Sequence, residues 1–357
     1  MAEEFRGLEF ERPIVELESK IAEIRNINSS DMVNLDREIK SLEEKRDKLM
    51  QEIYSSLTPW QRVQLARHPK RPYTLDYLQA LFTDFNELHG DRCFGDDSAL
   101  VGGCAFLDSM PVIVLGQQKG RSIEESTHRN FGMMHPEGYR KALRLMKMAE
   151  KFHKPVIVFI DTSGAYPGIG AEERGQAEAI ARNLREMAAL KTQIIGVIIG
   201  EGGSGGALGI GITDRMLMLE NSWYSVISPE GCASILFHDA TKAANAAEAL
   251  KLTATDLLAV KVIDEIVPEP LGGAHRDFNL TVAALKERIL KHLKELKNLD
   301  MPRLLANRYE KFRRYGVFLE TADEKIGRVR KNASANNGDE LKKAAKKPKE
   351  KIKNQAK

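Results

Sequence analysis

The sequence predicts a soluble α/β protein, because short apolar runs rich in β-branched residues alternate with segments of helical periodicity. Glycine-rich turns follow several of these runs, as expected where the buried strands of a parallel sheet end. With 357 residues, 42% of them apolar, the chain can bury a substantial core. Strands are predicted at residues 112–115, 156–160, 194–199, 216–219 and 262–267. Helices are predicted at residues 139–152, 171–190, 277–298 and 302–318.

The first 60 residues are predicted to form a helical hairpin arm. Apolar residues recur there at spacings of three, four or seven, the pattern of two amphipathic helices. These positions are Ile14, Leu17, Ile21 and Ile24, then Leu35, Ile39, Leu42, Leu49 and Ile53. Residues 26–31 interrupt the periodicity. An arm of this size has too little core to be stable alone, so its apolar face must pack on the body or on another chain.

Residues 61–325 are expected to form one domain, and residues 326–357 a lysine-rich, disordered tail. The formal net charge is +3, and eight lysines against one glutamate in residues 341–357 account for the basic balance. Because the rest of the chain is net acidic, a nucleic-acid partner is not expected.

The sequence also indicates a cytoplasmic protein without a membrane partner, since it has no long apolar stretch and begins with an acidic segment. Its three cysteines, Cys93, Cys104 and Cys232, form no C-x-x-C pair. Neither a disulfide framework nor a metal site is therefore expected in this chain.

The most informative segment is the glycine-rich stretch at residues 200–207, which follows a predicted strand. So much glycine lets the backbone approach a ligand and present bare N–H groups, a geometry that favours an anion. Gly200, Gly202 and Gly205 fit the G-x-G-x-x-G pattern of dinucleotide-binding folds, with Glu220 placed to bind a ribose. The helix that follows has little room, however, before Asp214.

The same segment also fits G-x-S-x-G, the nucleophile turn of serine hydrolases, with Ser204 as the nucleophile. His238 or His275 could then be the base, and Asp239 or Asp264 the acid. A purely structural interpretation, in which the glycines only allow a helix to pack closely on the sheet, is weaker because the run is richer in glycine than packing requires.

A fourth interpretation is an oxyanion hole without a side-chain nucleophile. Adjacent N–H groups of Gly205 and Gly206 at a helix start could stabilise a developing anion, by a few kcal/mol per donor. A second turn of the same kind, residues 161–168, also lies between an apolar run and a helix. Two such turns favour this interpretation.

Long ordered motifs give these turns a family context. They are ARHP at 66–69, RPYTLDY at 71–77, QKGR at 118–121, RNFGM at 129–133, PEGYRKALR at 136–144, GAYPG at 164–168, GAEERGQ at 170–176, SPEGCAS at 228–234 and PEPLGGAH at 268–275. With the glycine-rich segment, they closely resemble the alpha-subunit family of bacterial acetyl-CoA carboxylase carboxyltransferases. The resemblance covers about residues 8–320.

The resemblance implies a crotonase-like (ClpP/crotonase) fold, a spiral of ββα units, for the domain at 61–325. It implies transfer of a carboxyl group from carboxybiotin on the biotin carboxyl carrier protein to acetyl-CoA, forming malonyl-CoA for fatty acid biosynthesis. Biotin would be carried in trans, and a coenzyme A thioester would be the substrate. The implied partners are a beta subunit with a zinc ribbon, in an alpha2beta2 assembly, and biotin carboxylase in the full complex.

The resemblance also implies roles for individual residues. By residue-to-residue matching, the amides of Gly205 and Gly206 would face the ureido oxygen of biotin. The other residues expected to bind substrate are Gly164, Ala165, Tyr166, Lys119, Arg121 and Arg129. Four positions depart from the family pattern. Ser163 stands where proline is expected, Gln117 where histidine is expected, and Ser126 and His128 where the family is often basic. The serine hydrolase remains the alternative.

Overall fold

The computed structural model describes residues 7–26 and 32–316, and its centre is an eight-stranded sheet. The strands are β1 (Thr83–Glu87), β2 (Leu100–Leu107), β3 (Met110–Gln117), β4 (Val156–Thr162), β5 (Ile194–Gly203), β6 (Arg215–Leu219), β7 (Trp223–Ser225) and β8 (Glu265–Val267). Their order is β1-β2-β3-β4-β5-β6-β8, and β7 pairs with the end of β5. Strands β1 to β3 are antiparallel, whereas β3, β4, β5, β6 and β8 run parallel.

Helices surround the sheet. They are α1 (Arg12–Arg25), α2 (Met32–Tyr54), α3 (Pro59–Ala66), α4 (Thr74–Leu81), α5 (Ile123–His128), α6 (Pro136–Lys151), α7 (Ile169–Glu173), α8 (Gln176–Ala189), α9 (Ser204–Leu208), α10 (Pro229–Phe237), α11 (Ala243–Leu250), α12 (Ala254–Ala259), α13 (Phe278–Lys297) and α14 (Met301–Arg313). Short 3₁₀ turns occur at Glu9–Glu11, Asn130–Gly132 and Ala240–Lys242. No helix in the described ranges is both long enough and apolar enough to cross a membrane.

Both faces of the parallel strands are buried, which explains why these strands appear in the sequence as continuous apolar runs. In β4, Val156, Val158 and Ile160 belong to one core cluster, which includes side chains of α6 and α8. Ile157 and Phe159 belong to a second cluster on the other face, with side chains of α4 and α13. The sheet is therefore a middle layer between two helical layers.

Most predicted elements are confirmed, and the differences have local causes. The prediction of a strand over 262–267 is wrong for its first half, because the N–H of Val262 closes the end of α12 on the Leu257 carbonyl. The predicted helix at 171–190 is two helices, broken where Gly175 adopts φ +83°. Strands β1 and β2 were not predicted, and the predicted tail at 326–357 lies outside the described residues.

The predicted arm packs on the body of the same chain. Ile14 and Tyr54 share a buried cluster with Leu65 of α3. The hydroxyl of Tyr54 donates to Oε1 of Glu11 at 2.5 Å, inside the same contact region. Residues 27–31, between α1 and α2, lie outside the described residues.

Helix α14 is anchored to the sheet by one buried arginine. Both Nε and Nη2 of Arg308 donate to the carboxylate of Asp214 at 2.8 Å. The remaining N–H groups donate to the carbonyls of Met187, Leu190 and Thr192 at 2.7–2.8 Å. The buried guanidinium and its carboxylate are thus paired and hydrogen-bonded, as burial of charge requires.

Candidate active site

Two glycine-rich turns meet at the carboxyl edge of the sheet. Strands β4 and β5 are parallel neighbours, and Thr162 pairs with Gly202 near their ends. The turn after β4 consequently lies beside the start of α9. A Cβ atom on Gly206 would overlap the carbonyl group of Gly164, so only glycine allows this approach.

The start of α9 presents unsatisfied backbone donors. Ser204 has φ +48°, a left-handed conformation that turns the chain sharply from β5 into the helix. Neither the Gly205 nor the Gly206 N–H donates to any acceptor in the part of the chain that the structure describes. First-turn N–H groups have no partner within a helix, so this pair is available to an external anion.

Gln117 anchors the chain directly after these N–H groups. Its side-chain amide donates from Nε2 to the Gly206 carbonyl at 2.7 Å, and its Oε1 accepts from the Asp161 N–H at 3.1 Å. The side chain is fully buried. The sequence indicated Gln117 only as a departure from a family pattern. A polar residue at the end of an apolar strand was the signal that could have marked it as part of the site.

The turn residues predicted to bind substrate lie next to the glycine pair. Gly164 contacts Gly206 as described above, and its carbonyl accepts from the Thr162 hydroxyl at 2.8 Å. Ala165 lies 4.0 Å from the position that a Gly205 Cβ would occupy. The ring of Tyr166 stacks on His135, with 4.1 Å between ring centroids. The structure therefore places Gly164 and Ala165 beside Gly205 and Gly206, and Tyr166 follows in the same turn.

Lys119 lies in a buried charge network under this edge. Its Nζ contacts Oδ1 of Asp161 at 2.7 Å and Oε2 of Glu201 at 2.6 Å. Arg67 contacts the other oxygen of Glu201 at 2.6 Å and Glu230 at 2.5 Å. Although burial opposes it, the charges of Asp161 and Glu201 raise the pKa of Lys119 above its usual value. Burial acts to raise the pKa of Glu201, yet Lys119 and Arg67 lower it to about 2.

This network should stabilise the fold at pH values above the ordinary pKa of a glutamate. Lys119→Met would leave buried Asp161 without its cation and Glu201 with Arg67 alone, and we expect a loss of roughly 3 kcal/mol in the free energy of unfolding at pH 7. Because the folded-state pKa of Glu201 is lowered from 4.5 to about 2, the wild type should lose this stability as the pH falls through that window. The difference in the free energy of unfolding between the wild type and Lys119→Met should therefore become smaller as the pH falls.

Urea unfolding from pH 7 to pH 3 measures this effect. Lys294→Met, on the exposed face of α13, is the matched control and should change the free energy of unfolding by less than about 0.5 kcal/mol. Equal stability of Lys119→Met and the control at pH 7 would contradict the assigned role of the network.

A cleft of about 320 Å³ opens beside the two turns. Its lining includes Arg67, Tyr73, Lys119, Phe131, Ser163 and Glu201. Ser163 also lies against Gly203, two residues before the glycine pair, because a Cβ atom on Gly203 would overlap its backbone. The cleft is therefore continuous with the turn that holds Gly164.

Comparison with known proteins identifies the family of this chain. The family described as "Acetyl co-enzyme A carboxylase carboxyltransferase-like" matches residues 7–316. The acetyl-coenzyme A carboxylase carboxyl transferase subunit alpha of Geobacter metallireducens is 62% identical over 320 residues, covering 90% of this chain and all of that protein. The protein of the same description from Thermus thermophilus is 56% identical over 313 residues, covering 88% of this chain and 99% of that protein.

The chain belongs to the acetyl-CoA carboxylase carboxyltransferase alpha-subunit family. Solved structures support its fold independently. A Pseudomonas malonate decarboxylase hetero-dimer aligns with a TM-score of 0.54 at 17% identity, over 72% of this chain and 97% of that one. A hetero-tetramer of that enzyme in complex with coenzyme A gives 0.53 at 18% identity, over 73% and 97%. The expectation of an α/β, crotonase-like fold is confirmed.

The three cations predicted to bind substrate are not gathered into one free cluster in this family member. Lys119 is held by two carboxylates, as described above. Arg121 contacts Asp76 at 2.5 Å and lies over the Tyr73 ring. Arg129 donates to the Ser98 carbonyl at 2.8 Å. Their contact with substrate remains a prediction.

The alternative functions find no support in the alpha-subunit structure. Within the described residues, no hydrogen bond links Ser204 to a histidine. His275 instead stacks on His68 at 3.8 Å, and burial with neighbouring positive charge lowers its pKa to about 3. The dinucleotide interpretation fails differently, because Gly200 and Gly202 lie inside β5 and the helix that follows has only five residues.

Proposed function

We propose that the N–H groups of Gly205 and Gly206 form the oxyanion hole of a carboxyltransferase that acts on carboxybiotin and acetyl-CoA. The observation that carries the proposal is a pair of adjacent N–H groups without protein acceptors, followed directly by the Gly206 carbonyl, which buried Gln117 anchors. Fixed donors of this kind stabilise an anion without the cost of reorganisation during the reaction. The substrate is carboxybiotin on a carrier protein, and the product is malonyl-CoA.

The chemistry needs donors rather than an acid-base side chain. When the N–CO₂ bond of carboxybiotin breaks, its electron pair remains on the ureido group, and the ureido oxygen becomes negative. Amides of Gly205 and Gly206 would stabilise that charge by a few kcal/mol per donor. The biotin anion then takes a proton from the acetyl methyl group, and the resulting enolate forms the new C–C bond to CO₂. Side chains of the turn at 164–166 would position the substrate.

The same proposal assigns partners. We propose that a beta subunit with a zinc ribbon completes the site in an alpha2beta2 assembly, and that the biotin carboxyl carrier protein and biotin carboxylase complete the enzyme. An apolar surface on and before α10 is the proposed contact with the beta subunit. Val226, Ile235 and Leu236 are 77%, 66% and 63% exposed there, more than an isolated chain would favour.

Reconstitution tests the function directly. The purified chain is mixed with a candidate beta subunit, carboxylated carrier protein and acetyl-CoA, and malonyl-CoA is measured by mass spectrometry. We expect malonyl-CoA to form in proportion to the assembled complex. Absence of the product from a fully assembled complex would overturn the proposed function.

Ser204→Ala separates this mechanism from a serine hydrolase. The hydroxyl of a catalytic serine is indispensable, whereas here Ser204 only turns the chain into α9, so we expect carboxyl transfer within about threefold of wild type. A hydrolase would lose nearly all activity. Covalent labelling of Ser204 by a fluorophosphonate probe would contradict the oxyanion-hole mechanism.

A further inference from the structure

A left-handed turn beside the cleft holds an aromatic residue in a strained conformation. Asn130, Phe131 and Gly132 have φ angles of +49°, +55° and +78° in succession. Glycine adopts this region freely and asparagine tolerates it, but a phenylalanine there lowers the stability of the fold. Strain of this kind persists only where the surrounding structure imposes it, and it concentrates at functional sites.

The surroundings impose this turn through several contacts. The side-chain amide of Asn130 lies 3.0 Å from Nδ1 of His135. The N–H of Gly132 donates to the Arg129 carbonyl, and the N–H of Met133 to the Asn130 carbonyl, both at 2.9 Å. A Cβ atom on Gly132 would lie 3.0 Å from the carbonyl oxygen of Asp161, so the turn sits directly on the end of β4.

The strained conformation of Phe131 does not place its side chain in the core. The Phe131 side chain is 54% exposed, and it lines the cleft together with Tyr73 and Ser163. Ser163 continues into the turn that contacts Gly206. The turn therefore displays an aromatic ring to solvent at the entrance of the proposed active site, at a cost that the fold alone does not explain.

The charges of the cleft indicate which part of a substrate can bind beside the Phe131 ring. The cations Lys119 and Arg67 are paired with Asp161, Glu201 and Glu230, so the network carries no surplus positive charge. Coenzyme A brings several phosphate groups, which need uncommitted cations. An uncharged ring with apolar faces has no such requirement.

We propose that Phe131 is the platform on which the bicyclic ring system of biotin packs as its ureido oxygen reaches Gly205 and Gly206. This inference rests on the proposed function and adds a specificity-determining residue to it. Phe131 and Tyr73, two aromatic residues that line the cleft, supply flat apolar surface, and Ser163 connects the cleft to the turn that contacts Gly206.

The test uses the assembled complex with the beta subunit in the reverse direction. Malonyl-CoA and free biotin react there to give acetyl-CoA and carboxybiotin: the malonyl C–C bond breaks, an N–C bond forms, and the ureido proton moves to the acetyl carbon. For Phe131→Asn we expect the KM for biotin to rise about tenfold while the KM for malonyl-CoA is unchanged. Phe131→Trp should retain a near-normal KM for biotin.

Thermal unfolding separates the proposed role of Phe131 from a structural one, because loss of a structural residue would lower the melting temperature. Asparagine tolerates the left-handed region, so Phe131→Asn should melt at the wild-type temperature or about 2 °C above it. Phe152→Asn is the matched control, since Phe152 is 57% exposed at the end of α6, near the amino end of β4. It should leave both KM values unchanged.

Each outcome decides a different point. A higher KM for malonyl-CoA in Phe131→Asn, with an unchanged KM for biotin, would overturn the assignment in favour of coenzyme A. A loss of assembly in light scattering would make Phe131 an interface residue, and a fall in melting temperature of several degrees would make it structural. A wild-type complex that transfers no carboxyl group would overturn the proposed function itself, and this inference with it.

Discussion

Gly206→Val is expected to lower the turnover of carboxyl transfer at least about 100-fold, the loss associated with a single oxyanion donor. Any Cβ atom at this position overlaps the carbonyl group of Gly164, a backbone group that cannot move aside like the end of a flexible side chain. The valine must therefore displace one of the two turns. Either displacement takes the N–H groups of residues 205 and 206 away from the position that the proposed mechanism gives the ureido oxygen.

The measurement is kcat in the complex with the beta subunit, after circular dichroism and light scattering have shown normal folding and assembly. Gly95→Val is the control, because a Cβ atom at Gly95 meets nothing within 4 Å and the residue lies outside the proposed site. We expect it to retain wild-type turnover. Normal turnover of a folded, assembled Gly206→Val variant would refute the oxyanion assignment.

The second large effect is the absence of activity from this chain alone. Carboxyl transfer develops two anions, one on the biotin ureido group and one on the acetyl enolate, and each needs its own fixed donors. In the proposed mechanism, Gly205 and Gly206 supply one pair. The second set is expected from the beta subunit, so the isolated chain should form malonyl-CoA at less than about 1% of the rate of the complex.

Light scattering and malonyl-CoA formation are measured on the same samples, with and without the beta subunit. Addition of the beta subunit should produce a larger species and activity together, and Val226→Asp in the apolar surface near α10 should reduce both by weakening the large interface such a complex requires. Full activity from a monodisperse sample of this chain alone would exclude a shared site.

The parallel part of the sheet was predictable because burial on both faces makes its strands apolar throughout. Residues 156–160 and 194–199 appear in the sequence as runs rich in β-branched residues, and both predicted strands lie within strands of the structure, β4 and β5. Strand β2 was not predicted, since Gly102 and Gly103 weaken its strand pattern. There the glycines permit close packing on neighbours, which no local pattern reveals.

The glycine pair of the candidate site was also predictable, but the residues that hold it in place were not. Gln117 and Gly206 are 89 residues apart in sequence, and Lys119 and Glu201 are 82 apart. Only the parallel arrangement of β3, β4 and β5 brings them together. Lys119 was expected to meet a substrate anion, and the structure shows that two carboxylates of its own chain already contact it.

The bond between Arg308 and Asp214 also has a consequence for how the chain is made. The two residues are 94 positions apart, and at about 5 to 20 residues per second a ribosome needs on the order of 5 to 20 seconds to travel from one codon to the other. During that interval Asp214 cannot be buried without leaving an unpaired carboxylate. The part of the sheet around Asp214, at the start of β6, therefore closes late in synthesis, after α14 has emerged, and nascent chains that stop before it should be recognised by chaperones.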